Sequence, residues 1–305
     1  MGLSLCAVVN VGTLTATAGP AFAQACCASA GLVIPSRLRS YEDAAVGLQA
    51  RARSVFGAYG PGGGYSGGSD RESEWGFGQD LFGSIRVLER GQVALLVPFV
   101  ETQRTSYGAS SVGGGIGDVA INLRYDFLNN GERHPVPGLA LLAALLLPTG
   151  TPPEKAGASD VLVTGATGEG SFEGIVGVGV ESSWEPYFAG ATAMAGWRSP
   201  RRINGVRQTF APRFTGLLAV GRMLPHGASV GVFASGLLQG RNSDDNGPLV
   251  GSDASLLTLG AAGTVSLSDQ WRLQGSLSGS PPLSNAGRNQ PAGVGLSLSI
   301  MRLWL

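Results

Sequence analysis

From residue 45 onward, apolar and polar residues alternate with a period of two rather than 3.6. The run 119–127 shows it best. Val119, Ile121, Leu123, Tyr125 and Phe127 share one face, while Ala120, Asn122, Arg124 and Asp126 share the other, with Asp118 continuing it. Such alternation marks strands with one apolar and one polar side. Twelve strands are predicted: 45–59, 73–88, 92–104, 116–128, 138–149, 172–184, 187–198, 209–223, 228–241, 255–267, 271–279 and 293–304. Their connections sort by length. Long Gly- and Ser-rich segments such as 60–72, 105–115, 150–171, 199–208, 242–254 and 280–292 alternate with short ones such as 89–91, 185–186, 224–227 and 268–270, and only 129–137 breaks the order. An even strand count with long loops at one end and short turns at the other predicts a transmembrane, antiparallel, up-and-down β-barrel of about 12 strands over 45–305. The longest apolar run, 139–147, is too short for a membrane-spanning helix.

The sorting of side chains fits a bilayer. Phe172 and Trp184 close the two ends of one apolar face, and Tyr187 and Trp197 do the same on the next strand, as an aromatic girdle would. Charges take the opposite face: Arg51, Arg53, Glu74, Asp80, Arg86, Arg104, Asp118, Arg124, Asp126, Glu173, Glu181, Arg213 and Arg272, joined by the polar Asn122. These are the expected lumen-lining residues, because a charge facing lipid at mid-depth costs about 2–4 kcal/mol. Arg222 and Arg302 fall on the apolar face near strand ends, where an Arg can snorkel.

The amino end reads differently. An uncharged apolar stretch, residues 3–17, precedes Ala21-Phe22-Ala23, an A-x-A cleavage pattern, so residues 1–23 are expected to be a signal peptide for export. Residues 24–44 lack two-residue alternation. They form a periplasmic segment expected to enter the barrel mouth as a short plug or to hang free, with charges available to pair with interior residues such as Arg51 and Asp126. Cys26 and Cys27 offer a disulfide or a thiol site in an oxidising compartment.

Composition excludes more than it names. With 21 basic against 21 acidic residues the net charge is zero, which speaks against nucleic acid as a partner. Glycine, at 49 residues, is plentiful, as expected where half of each strand faces a crowded interior. The two histidines, His134 and His226, fall in short turns, at the other end from the G-x-S-x-G match at Gly64-Tyr65-Ser66-Gly67-Gly68, which also lacks a following helix, so no serine hydrolase and no other enzyme is expected. The acidic loop Asp244-Asp245-Asn246-Gly247 lacks EF-hand spacing, and neither metal nor cofactor is expected.

Gly115-Ile116-Gly117-Asp118, Leu123-Arg124-Tyr125-Asp126-Phe127-Leu128 and Leu147-Pro148-Thr149-Gly150 resemble the outer-membrane transporter-type barrels of the MetA pathway of phenol degradation. The resemblance covers about 115–154 and implies an outer-membrane, porin-like barrel in a Gram-negative envelope that moves small, often hydrophobic solutes. The bilayer and the assembly machinery that reads an aromatic carboxyl-terminal residue are then its partners. Here Trp304 stands one place before the end. Two functions follow: a passive channel or transporter for small molecules, and a structural or surface-display barrel with an occluded lumen.

Overall fold

A computed structural model describes residues 37–39, 41–69, 71–129, 136–157, 160 and 162–305. The signal-peptide segment, Cys26, Cys27 and His134 lie outside the described residues.

Twelve strands form the wall: β1 Ala44–Tyr59, β2 Glu72–Leu88, β3 Gly91–Ser106, β4 Val119–Leu128, β5 Gly138–Leu147, β6 Glu173–Trp184, β7 Tyr187–Arg198, β8 Arg213–Met223, β9 Ser229–Gln239, β10 Ala254–Ser266, β11 Trp271–Gly279 and β12 Gln290–Trp304. Each pairs antiparallel with its sequence neighbours, and β1 pairs with β12 from Ala44↔Trp304 to Tyr59↔Gln290, so the sheet is closed. Closure leaves no sheet edge, which is what a strand-built membrane protein requires. The expected bounds of 187–198 and 271–279 match to the residue, and both flank tight turns.

The expected long loop at 105–115 is a hairpin instead. Ala109–Ile116 pairs with the outer half of β3 through a two-residue turn, Tyr107-Gly108, with φ of 47° and 89°. Those angles are the left-handed pair of a type I′ turn, which glycine adopts at little cost. The fourth wall strand therefore runs from 109 to 128 with an irregularity at Gly117-Asp118, where the register against β3 moves by one residue. The loop 148–172 packs down onto this hairpin. A Cβ at Gly113 would lie 2.6 Å from the Gly165 amide nitrogen, so the loop backbone occupies the space a side chain would need.

The outer surface is apolar from strand to strand, with Leu48, Leu81, Leu123, Leu141, Val178, Leu218, Val232, Leu259, Leu277 and Leu298 all exposed. Phe172 and Trp197 stand at the long-loop end of β6 and β7, and Trp184 and Tyr187 at the short-turn end, all about half exposed. At that same end Arg222 lies 5.9 Å from the Tyr187 ring centroid and Arg302 5.2 Å from that of Trp304. Trp304 is therefore an outward residue of β12, and Leu303 beside it is buried inside. Glu101 is a departure from the charge sorting. It is exposed on the outer face, opposite Phe77, ten residues along β3 from its turn. At roughly 2.5 Å of height per tilted residue it stands near the outer rim of the apolar belt, where a charge costs little.

Candidate functional site

In a closed barrel, the buried member of each alternating pair points inward. Along β4 Asn122, Arg124 and Asp126 are buried while Leu123, Tyr125 and Phe127 are exposed. The interior falls into three levels.

At the short-turn end, the chain before β1 turns into the mouth. Leu38 is buried with Ala45, Phe82, Met301 and Leu303. Its amide donates to Gln92 Oε1 at 3.0 Å. Arg37 pairs with Glu181 and lies 3.7 Å from Asp126. Arg124 joins the same two carboxylates, donating to Asp126 at 2.9 Å and to Glu181 at 3.1 Å. Two cations thus meet two anions in a nearly dry space, which balances charge where an odd one would be costly. Glu42, with no exposed surface, pairs with Arg272, and Arg86 donates to the backbone carbonyls of Glu42 and Arg39. Arg86 and Arg272 therefore hold the amino-terminal segment. Of the two partners expected for that segment, Asp126 is met and Arg51 is not.

Midway up, Arg51 is paired with Asp80 of β2 at 2.7 Å. Higher up, toward the long loops, Glu74 takes the Arg104 guanidinium at 2.8 Å across β2 and β3, and Arg53 donates to the Pro291 carbonyl at 3.3 Å. Asn122 is 2% exposed, and neither its Oδ1 nor its Nδ2 has a hydrogen-bond partner.

At the long-loop end the charges hold loops. Asp118 accepts from the amides of Gly150 at 2.9 Å and Glu169 at 2.7 Å, which pins both ends of the loop 148–172. Asp160 accepts from Ser111, Leu162 and both the amide and hydroxyl of Thr164. Those hydrogen bonds favour the carboxylate and lower its pKa from 3.8 to about 2. Arg213 lies 3.5 Å from Glu173 and 3.6 Å from Glu169, and Arg198 donates to Glu169 at 3.2 Å. Arg198 and the segment 37–42 carry more of the interior chemistry than their sequence context announces. Arg198 is the inward neighbour of Trp197, a parity signal that the alternation of β7 already contained.

The other sequence features resolve into structure. Ser66 lies on a short strand, Tyr65–Gly67, paired with β1, and its hydroxyl donates to the Ala58 carbonyl at 3.3 Å. Asp244 and Asp245 accept backbone amides of Asn246 and Arg207.

An outer-membrane channel from Pseudomonas putida F1 has this architecture, with a TM-score of 0.72 over 88% of this chain and 100% of its own, at 16% sequence identity. The transport unit of the autotransporter AIDA-I from Escherichia coli aligns with a TM-score of 0.50 over 92% of this chain and 95% of its own, at 9% identity. At such identities the likeness is one of fold. No curated protein matches the sequence. Residues 57–300 match the family described as MetA-pathway of phenol degradation, and with that share of the chain covered the protein belongs to this family of outer-membrane β-barrels.

Proposed function

We propose that the protein is a passive outer-membrane channel for small, largely uncharged molecules, aromatic ones among them, and that its work is transport without catalysis. The observation that carries the reading is the inner face of β8–β12. Between Arg213 at one end and Arg272 at the other, it presents hydrogen-bonding residues such as Thr215, Ser235, Thr258, Gln274, Ser276 and Ser297 among apolar ones such as Leu217 and Phe233, which leave an uncharged surface of mixed polarity. The opposite half carries the charges as pairs, so their fields largely cancel. Lumen lining is assigned to Arg51, Arg53, Glu74, Asp80 and Asn122. The remaining charges brace the ends. The family description supplies the solute class, phenol being a small aromatic alcohol. The bilayer and the outer-membrane assembly machinery are the partners this placement requires.

The periplasmic mouth is assigned as the barrier, formed by residues 37–39 and 41–43 with Leu38 as its apolar stopper. Single-channel recording in planar bilayers tests both parts. The full chain should conduct weakly, and deletion of residues 25–40 should raise the conductance. Equal conductance of the two assembled proteins would reject the barrier. The buried ion pairs across the mouth favour a second reading, an occluded barrel that displays loops such as 150–171. Absence of conductance and of aromatic-solute uptake in both proteins would select it.

A further inference from the structure

We propose that Arg198 and Arg213, beside Phe210 at the external mouth, form a binding subsite for a small monocarboxylate, a place taken by the side chain of Glu169 when no solute is bound. Arg198 points inward from the last residue of β7, and its side chain is only 5% exposed. One terminal nitrogen donates to Glu169 at 3.2 Å, while Nε and Nη2 have no hydrogen-bond partner. The guanidinium carbon sits 4.6 Å from the Phe210 ring centroid, so one face of the fork is spent on the ring and its in-plane donors remain for an acceptor. A buried guanidinium with two idle donors is unfavourable unless something fills them. A carboxylate is the group whose two oxygens match that fork.

The charge count sets the class of solute. Glu173 is buried, stands opposite Arg198 on the neighbouring strand and lies 3.5 Å from Arg213, so it stays with the site. Arg201, whose guanidinium carbon lies 5.9 Å from the same Phe210 ring centroid, is held by both oxygens of Glu154, and that pair adds no net charge to the count. With Glu169 in place, two cations face two anions. With Glu169 turned out, two cations face one, and a single negative charge restores the balance. A neutral molecule leaves the excess unpaired, and a dianion overshoots it. Glu169 is suited to exchange because its side chain is 53% exposed and its contacts to Arg198 and Arg213, at 3.2 and 3.6 Å, are long. Half-exposed ion pairs of that kind contribute little. Its backbone stays fixed meanwhile, because its amide donates to Asp118 at 2.7 Å. Exchange therefore needs one side-chain rotation and no loop movement.

The site is reached from the external end, and its occupancy does not depend on conduction, so binding and transport are tested separately. Isothermal titration of the full chain in detergent micelles, with benzoate as the probe and benzyl alcohol as its neutral counterpart, measures it. Benzoate should bind with one site per chain. Glu169→Gln should tighten benzoate several-fold by removing the competing charge, and Arg198→Gln should weaken it by about tenfold, or 1.4 kcal/mol. Benzyl alcohol should respond to neither substitution. Heat-modified gel migration reports that each barrel is folded. If Arg198→Gln does not assemble, Glu169→Gln still decides, since that side chain is half exposed on a loop. An unchanged or weakened benzoate affinity in Glu169→Gln, parallel changes for benzoate and benzyl alcohol, or no benzoate binding to either the natural chain or Glu169→Gln would overturn the proposal.

Discussion

The two halves of the barrel interior solve the same problem in opposite ways. Strands β1–β7 carry most of the inward charges, and strands β8–β12 place hydroxyl groups, amides, glycines and apolar side chains such as Leu217 and Met301 there, with Arg213 and Arg272 only at the ends. In the first half, the pairs form between neighbouring strands, as in Arg51–Asp80 and Glu74–Arg104, or they gather around Arg124. Such pairs fix register and fill space, and where both partners are buried, as around Arg124, each depends on the other, since a lone charge in a dry interior costs several kcal/mol. In the second half, Ser276 and Ser297 exchange a hydroxyl hydrogen bond at 2.7 Å that can be broken and remade without stranding a charge. The charged half is thus stiff and specific, and the hydroxyl half is tolerant. A barrel that must both hold its shape and let a solute slide past can assign one task to each side.

The sharpest way to break this contrast is at the pair that joins the two halves. Replacing Glu42 by Gln leaves Arg272 buried without its counter-charge and should cost about 3–5 kcal/mol, read as a fall in the denaturant midpoint of the folded barrel. The double change Glu42→Gln with Arg272→Gln should recover most of it, and failure to recover would show that the pair's geometry, not its charge, matters.

Next in size is a test on the outside, where the halves should not differ. Ile121→Arg on β4 and Leu277→Arg on β11 both put a cation on the apolar surface, and each should cost about 2–4 kcal/mol near mid-depth and lower the yield of assembled barrel. Markedly unequal losses would mean that one of the two faces is assigned to the wrong side of the wall. Asn122→Arg, beside Ile121, is an inward change. The sequence alone predicts easy tolerance, whereas the 2% exposure of Asn122 predicts crowding and a loss approaching that of Ile121→Arg.

Selectivity should respond more weakly and with opposite signs. Ser297→Asp adds an uncompensated acid to the hydroxyl half and should shift the reversal potential in a salt gradient toward cations. Asp80→Asn frees Arg51 in the charged half and should shift it toward anions. Because the Arg51 side chain is 42% exposed, the stability change should stay within about 1 kcal/mol. Shifts of the same sign would deny that the two faces line one path.

The smallest effect concerns pH. The carboxyl of Asp160 is held at about 2, below its ordinary value of 3.8. A lowered folded value means that the anchoring of loop 148–172 is fully present above the ordinary value and is lost as pH falls through about 2. Hydrogen exchange at the Thr164 amide should therefore be as protected, relative to its intrinsic rate, at pH 4 as at pH 7. Asp160→Asn should lose that protection at both.

The strands were legible because alternation and turn chemistry are local. β7 and β11 each start from a short turn that leaves no freedom to slip, and their bounds follow from the sequence alone. The hairpin at Tyr107-Gly108 was not, because Ser, Gly and Ala on both sides carry no apolar alternation, and only the two-residue turn signal was present. Inward parity could be read for Arg51 and Asp80, but not their pairing, which depends on the register between β1 and β2. The segment 37–42 was harder still. Its partners sit on β3, β4, β6 and β11, and no pattern within six residues encodes a destination.

The contact between Glu42 and Arg272 also has a consequence for the order of assembly. Glu42 stands just before the first strand, and Arg272 belongs to the eleventh, 230 residues later. Contacts this distant in sequence form late, after the intervening chain has been gathered. Until β11 reaches its place beside β12, and β12 closes on β1, the Glu42 carboxylate has only its local contact with Arg39, 3.8 Å away, and lacks the Arg272 guanidinium. The last seam to be made is therefore also the one that brings the second cation to the earliest buried charge. A barrel halted one strand short would expose that carboxylate, and with it the apolar pocket around Leu38, at its unfinished end.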